Sequence, residues 1–127
     1  MLVNQIAVFL ENRKGRLAAM LAALSDAGIN VESLHIADTR DFGIVRIITD
    51  DNPAAKKALT AAGFTVADTD LVAVEVDDAP GALTATLGLL SKEGVNLEYV
   101  YSYSRKGGKA LILFKTDEAE RAQKLLG

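Results

Sequence analysis

Displacing the sequence by about 66 residues lays its second half on its first without a gap, which restricts the chain to duplicated architectures. Ala7-Val8 falls on Ala73-Val74, Gly15 on Gly81, Leu17 on Leu83, Leu21 on Leu87, and Leu24-Ser25 on Leu90-Ser91. Further on, Gly28, Asn30 and Glu32 meet Gly94, Asn96 and Glu98. The repeat divides the chain at residues 1–68 and 69–127. One copy of about 60 residues buries only about 60% of its extended surface, so the two copies are expected to pair around a shared core.

Within each copy the hydrophobic period changes in the same order. Ile6 to Leu10 and Val72 to Val76 are short β-rich runs that read as strands. Leu17, Met20, Leu21 and Leu24, matched by Leu83, Leu87 and Leu90, recur at helical spacing, and Gly28 and Gly94 stop those helices. Second strands follow at Val31 to Ala37 and Leu97 to Tyr103. The turns DTRDFG and SRKGGK lead into third strands at Ile44 to Thr49 and Ala110 to Lys115. Second helices run from about Pro53 to Ala62 and Asp117 to Leu126. A last strand, Phe64 to Ala67, completes the first copy as a ferredoxin-like βαββαβ unit. The fold class is therefore α+β, two such units side by side in an antiparallel sheet with helices on one face. The second unit lacks its last strand. That asymmetry predicts an edge at the first strand of the second copy, and with it oligomerisation or strand exchange. The linker ADTD is short enough for Phe64 to Val76 to run as one long bent strand.

Composition narrows the function classes. With 14 Lys and Arg against 17 Asp and Glu, the net charge of -3 gives no attraction to a polyanion, so neither nucleic acid nor an anionic membrane is expected as a partner. There is no cysteine, which excludes disulfides, thiolate nucleophiles and cysteine-ligated metals and leaves the cytoplasm as the expected compartment. The first residues carry no basic region before their short apolar run, so they read as a strand rather than a leader, and no window reaches the length of a membrane span. A single histidine, His35, supports neither a metal site nor a triad, and no cofactor is expected. Gly108-Lys109 is followed by Ala110 and so is no phosphate loop. The DFG at Asp41 to Gly43 belongs to a hairpin in a chain far too short for a kinase. RNA-binding domains share the topology, but KGGKALILF offers no stacking aromatic before Phe114.

The strongest local signal is the strand-to-helix turn of each copy, LENRKGRL at Leu10 to Leu17 and VDDAPGAL at Val76 to Leu83. A helix start carries unpaired N–H groups and partial positive charge, and glycine lets a ligand carboxylate approach them. Alternatively Gly15 and Gly81 make no more than a tight turn, with Pro80 as a normal helix opener. Gly28-Ile-Asn30 and Gly94-Val-Asn96 are more simply helix ends. Tyr99, Tyr101 and Tyr103 alternate along one strand and share a face, with His35 in the place of Tyr101. Packing explains them at least as well as ligand contact does.

ENRKGRL, an Ala- and Leu-rich helix and AGINVESL, repeated as VDDAPGAL and EGVNLEYV, resemble the ACT domain, including the regulatory domain of phosphoglycerate dehydrogenase. The resemblance covers nearly the whole chain and is closest to stand-alone tandem-ACT proteins. It implies paired βαββαβ units holding a small ligand, usually an amino acid, at their junction. Carried over by position, one site comprises Asn12, Arg13, Lys14, Gly15 and Leu17 with Asn96. The other comprises Asp78, Ala79, Pro80, Gly81 and Leu83 with Asn30. Lys14 stands where the family pattern has Pro, a place that the second copy keeps at Pro80. Arg13, Lys14 and Arg16 would supply donors to a carboxylate, whereas Asp77 and Asp78 would repel one and suit an ammonium group.

The function expected on these grounds is that of a non-enzymatic regulatory or sensor protein, a homodimer that binds an amino acid. The alternative is a subunit that controls a partner enzyme of amino-acid metabolism by contact, in the manner of the acetolactate synthase small subunit.

Overall fold

The structure, a computed structural model, describes residues 1–37 and 42–127. Most of the DTRDFG turn, including the Asp of its DFG, lies outside the described residues. Ten elements follow in the order β1 (Leu2–Glu11), α1 (Arg16–Asp26), β2 (Val31–Ala37), β3 (Phe42–Thr49), α2 (Asn52–Ala61), β4 (Thr65–Asp77), α3 (Ala82–Lys92), β5 (Tyr99–Lys106), β6 (Lys109–Lys115) and α4 (Ala119–Leu126). The expected last strand of the first copy and first strand of the second are one continuous strand, β4, of 13 residues. Strand β5 runs to Lys106 and takes up part of the expected SRKGGK turn. The chain forms two compact units, residues 4–69 and residues 1–3 with 70–127.

In the first unit the strand order is β2-β3-β1-β4. Ile6 pairs with Ile47 and Val8 with Val45 across the antiparallel β1–β3 ladder, so these four share one face. That face is covered by Met20 and Leu24 of α1 and by Ala55 and Leu59 of α2, all fully or almost fully buried in one cluster. Helix α2 starts where the Asp51 carboxylate accepts from Ala54 N–H at 3.1 Å, with proline in the first turn, a favourable start for a helix. Asn52 ties α2 back to β1 by donating to Asn4 O at 2.9 Å.

In the second unit the order is β1-β4-β6-β5. Val72 pairs with Phe114 and Val74 with Ile112, and Leu90, Val95 and Ala122 close over Val72 and Phe114. As expected, α4 is the last element and no strand follows it. The place beside β4 is partly filled by residues 1–3, which belong to this unit, and Ala73 N–H donates to Met1 O at 2.8 Å. The edge expected at the first strand of the second copy is to that extent paired.

The ladders also correct the gapless repeat. Val8 of β1 corresponds to Val74 of β4, yet their partners are Val45 and Ile112, so the spacing has grown by one residue between the hairpin strands. The extra residue sits in β5 as a bulge between Ser102 and Ser104. Beyond it the wider spacing matches Thr49 with Thr116 and Ala55 with Ala122, and all four are buried.

Candidate functional site

The two glycine turns have the same backbone. Gly15 has φ 87° and ψ -9°, and Gly81 has φ 87° and ψ -15°. This left-handed conformation costs an ordinary residue about 1–2 kcal/mol, which is the physical reason for glycine at both. Each glycine carbonyl then accepts the first helical hydrogen bond, from Ala19 at 2.9 Å and from Ala85 at 3.0 Å. Neither α1 nor α3 has a side-chain cap, in contrast to α2 with its Asp51. Both turns therefore present first-turn amides that no capping side chain occupies, together with the positive end of the helix dipole.

Beside the second turn lies a cavity of about 440 Å³, formed within the second unit. Its size falls in the range usual for small-molecule sites. Asp78, Ala79 and Pro80 of the turn and Leu83 of α3 form one side. Strand residues Val76, Ser102, Ala110 and Ile112 form the other, with Arg105 at the end of β5. The walls are thus mainly aliphatic, and charge is confined to the Asp77–Asp78 turn and Arg105.

Those charges are paired. Arg105 reaches Asp78 Oδ2 with both Nε and an η nitrogen at 3.0 Å, and Asp78 Oδ1 carries no described hydrogen bond. Asp77 is bonded to Lys109, which holds the Asp77 carboxyl below its ordinary range and raises the Lys109 ammonium above its own. Asp78 N–H also donates to Gly108 O at 2.9 Å. The turn is in this way fastened to the β5–β6 hairpin by one backbone bond and two ion pairs. The sequence-based expectation that Asp77 and Asp78 would simply repel a carboxylate needs correction, because each has a cationic partner. With the Arg105 side chain 69% exposed and that of Asp78 35%, their pair contributes only about 0.2–1 kcal/mol.

Strand parity explains how Arg105 arrives there. Val100 and Ser102 pair with Phe114 and Ile112, on the face that meets the helices, whereas Tyr99 and Tyr101 pair with Lys115 and Leu113 on the opposite face. Strict alternation would place Arg105 with those tyrosines. The bulge shifts the register, Arg105 pairs with Ala110, and its side chain joins the cavity. Tyr99 and Tyr101 stack at 6.5 Å between ring centroids, away from the cavity. His35 pairs with Arg46 on the corresponding face of the first unit. Sequence reasoning missed Arg105, Ser102, Ala110 and Ile112 as lining residues, since the bulge that sets their register leaves no local signal beyond one unmatched residue.

In the first unit Asn12, Arg13, Lys14 and Gly15 are exposed and Leu17 is half-buried. Arg13 pairs with Glu11 at 2.8 Å. Arg16 lies over the Phe64 ring, 4.7 Å from its centroid, with Nε buried and lacking a hydrogen-bond partner. Lys14 takes part in none of the described ion pairs. Of the three bases expected to serve a carboxylate, two are thus engaged elsewhere. Asn30 follows the far end of α1 and Asn96 the far end of α3, so neither unit brings its Asn to its own glycine turn. Among the described residues there is no group of three or more potential metal ligands, and no helix long and apolar enough to cross a membrane.

The chain is similar in structure to protein BT0572 from Bacteroides thetaiotaomicron, with a TM-score of 0.92 and 38% identity over 99% of this chain and 87% of that one. It is also similar to the regulatory subunit of aspartate kinase from Thermus thermophilus, with a TM-score of 0.69 and 16% identity over 96% of this chain and 89% of that one. The corresponding Thermus flavus subunit gives a TM-score of 0.64 and 17% identity over 99% and 93%. No curated protein matches. The family described as an ACT domain pair matches residues 1–126. With its two ferredoxin-like units and duplicated glycine turns, this chain belongs to the ACT domain pair family.

Proposed function

We propose that this chain is a non-catalytic regulatory protein that binds an amino acid at its glycine turns. The observation that carries this reading is the repetition at Gly15 and Gly81 of one left-handed turn that opens an uncapped helix, with a mainly aliphatic cavity beside the second. First-turn amides suit a carboxylate, and the neighbouring side chains discriminate among ligands. One site uses Asn12, Arg13, Lys14, Gly15 and Leu17, the other Asp78, Ala79, Pro80, Gly81 and Leu83. Asn96 and Asn30 act as further ligand contacts of the first and second site respectively. Regulation follows by linkage, because the ligand favours whichever conformation binds it more tightly.

Melting the purified protein against each of the twenty amino acids tests this directly. A ligand present at about a hundred times its Kd stabilises the fold by about 2.7 kcal/mol. Gly15→Val and Gly81→Val should abolish the response of their respective sites. A full response in both variants would remove the turns from the reading.

A second reading, a subunit that acts on a partner enzyme, draws support from β2. It is an edge strand, and its Leu34 and Ile36 are 40% and 44% exposed. Edge strands with apolar side chains invite a second chain. In the first reading that chain is another copy, and the working form is a homodimer. Sedimentation of the isolated protein as a dimer supports the homodimer, whereas a monomer that co-purifies with an amino-acid biosynthetic enzyme supports the second reading.

A further inference from the structure

The cavity of the second unit carries two opposite charges and an otherwise aliphatic lining, and this combination restricts what can occupy it. Every charge on its wall is matched from within the protein: Asp77 by Lys109 and Asp78 by Arg105. A ligand bearing a net charge or a charged side chain would find no uncompensated counter-charge there, and burying that charge is costly. A zwitterion meets a different situation. Its carboxylate matches the guanidinium of Arg105, and its ammonium matches Asp78, whose Oδ1 carries no described hydrogen bond. Exchanging one exposed ion pair for two ligand-bridged ones conserves charge balance, and the exposed pair opens at little cost. The remaining walls, Val76, Ala79, Pro80, Leu83 and Ile112, are hydrocarbon and match an aliphatic side chain.

We propose, resting on the amino-acid reading above, that this cavity selects α-amino acids with uncharged aliphatic side chains such as valine, leucine and isoleucine. Arg105 takes the carboxylate, Asp78 takes the ammonium, and the ion pair between them is the latch that the ligand opens. Arg105 is in this sense a specificity residue supplied by the β5 bulge, and the first unit's turn, with Arg13 held by Glu11, has no described counterpart to it.

Isothermal titration of the full chain with leucine, aspartate, lysine and two leucine analogues tests the assignment. The analogues are 4-methylpentanoate, which lacks the ammonium, and 3-methylbutylamine, which lacks the carboxylate. Leucine is expected to bind about tenfold or more tighter than any of the other four, the scale of one charge-assisted hydrogen bond. Asp78→Asn should collapse the difference between leucine and 4-methylpentanoate, and Arg105→Ala the difference between leucine and 3-methylbutylamine. A merely structural role for either residue would weaken all ligands alike and leave both ratios standing. Aspartate or lysine binding more tightly than leucine, or ratios unchanged in both variants, overturns the proposal. If either result comes with binding still lost in Gly81→Val, the amino-acid reading survives without this specificity. If none of the twenty amino acids binds the unaltered protein, both fall together.

Discussion

Thr49 and Thr116 do the same work in the two units. Each is buried, and each hydroxyl accepts from the backbone N–H two residues on, that of Asp51 or Glu118, at 3.2 Å. Thr49 does more, since its hydroxyl also donates to Asn52 Oδ1 at 2.7 Å. Replacing either by the near-isosteric valine removes the acceptor while keeping the packing. Thr116→Val is expected to lower stability by about 1 kcal/mol and Thr49→Val by up to about 3 kcal/mol. Urea denaturation checks this, and equal losses would show that the Asn52 bond is unimportant.

Backbone strain and ligand access can be separated at the glycines. Gly81 and Gly94 have φ of 87° and 76°, and a Cβ added to either meets no atom within 4 Å. Gly81→Val and Gly94→Val should therefore destabilise comparably, by about 1–2 kcal/mol from left-handed strain alone. Only Gly81→Val should also lose its thermal response to amino acids. Loss of response in both variants would mean that strain rather than access is responsible.

The Asp77–Lys109 pair fixes a pH signature. Asp77 has its folded pKa lowered from 3.8 by Lys109, so its stabilisation is present above that value and fades as pH falls below it. Lys109 has its folded pKa raised from 10.5 by Asp77, so its stabilisation is present below that value and fades as pH climbs beyond it. The melting-temperature difference between the parent protein and Asp77→Asn should be flat between these limits and shrink outside both. A difference that grows on acidification would contradict the pairing.

The β5 bulge is expected to control which face Arg105 occupies. Deleting Tyr103 restores simple alternation and should turn Arg105 towards the face of Tyr99 and Tyr101. Leucine binding should then weaken as it does in Arg105→Ala, because an edge strand tolerates the deletion with little change in the fold. Retained tight binding would show that Arg105 is not held in the cavity by the bulge.

The repeat spacing after the hairpin can be tested by packing. Ala55 and Ala122 are both fully buried, whereas the uncorrected spacing would match Ala55 with the exposed Arg121. Ala122→Leu should cost about 1–3 kcal/mol through overpacking. A cost below about 0.5 kcal/mol would put the true counterpart of Ala55 elsewhere.

The sequence by itself determined the duplication, the order of elements in each copy, the helix stops at Gly28 and Gly94, and the family. These rest on short-range physics: hydrophobic period, glycine at positive φ, and the spacing of turn residues. Even the run from Phe64 to Val76 was legible as one strand, because the linker ADTD has no room for another element. What only the tertiary structure decided was long-range register. One extra residue in β5 changes which side chains face the helices, carries Arg105 into a cavity 27 residues along the chain from its partner Asp78, and leaves Tyr99 and Tyr101 outside it. Pattern along a strand fixes alternation but not its phase, since a bulge that inverts the phase is selected by pairing with a neighbouring strand.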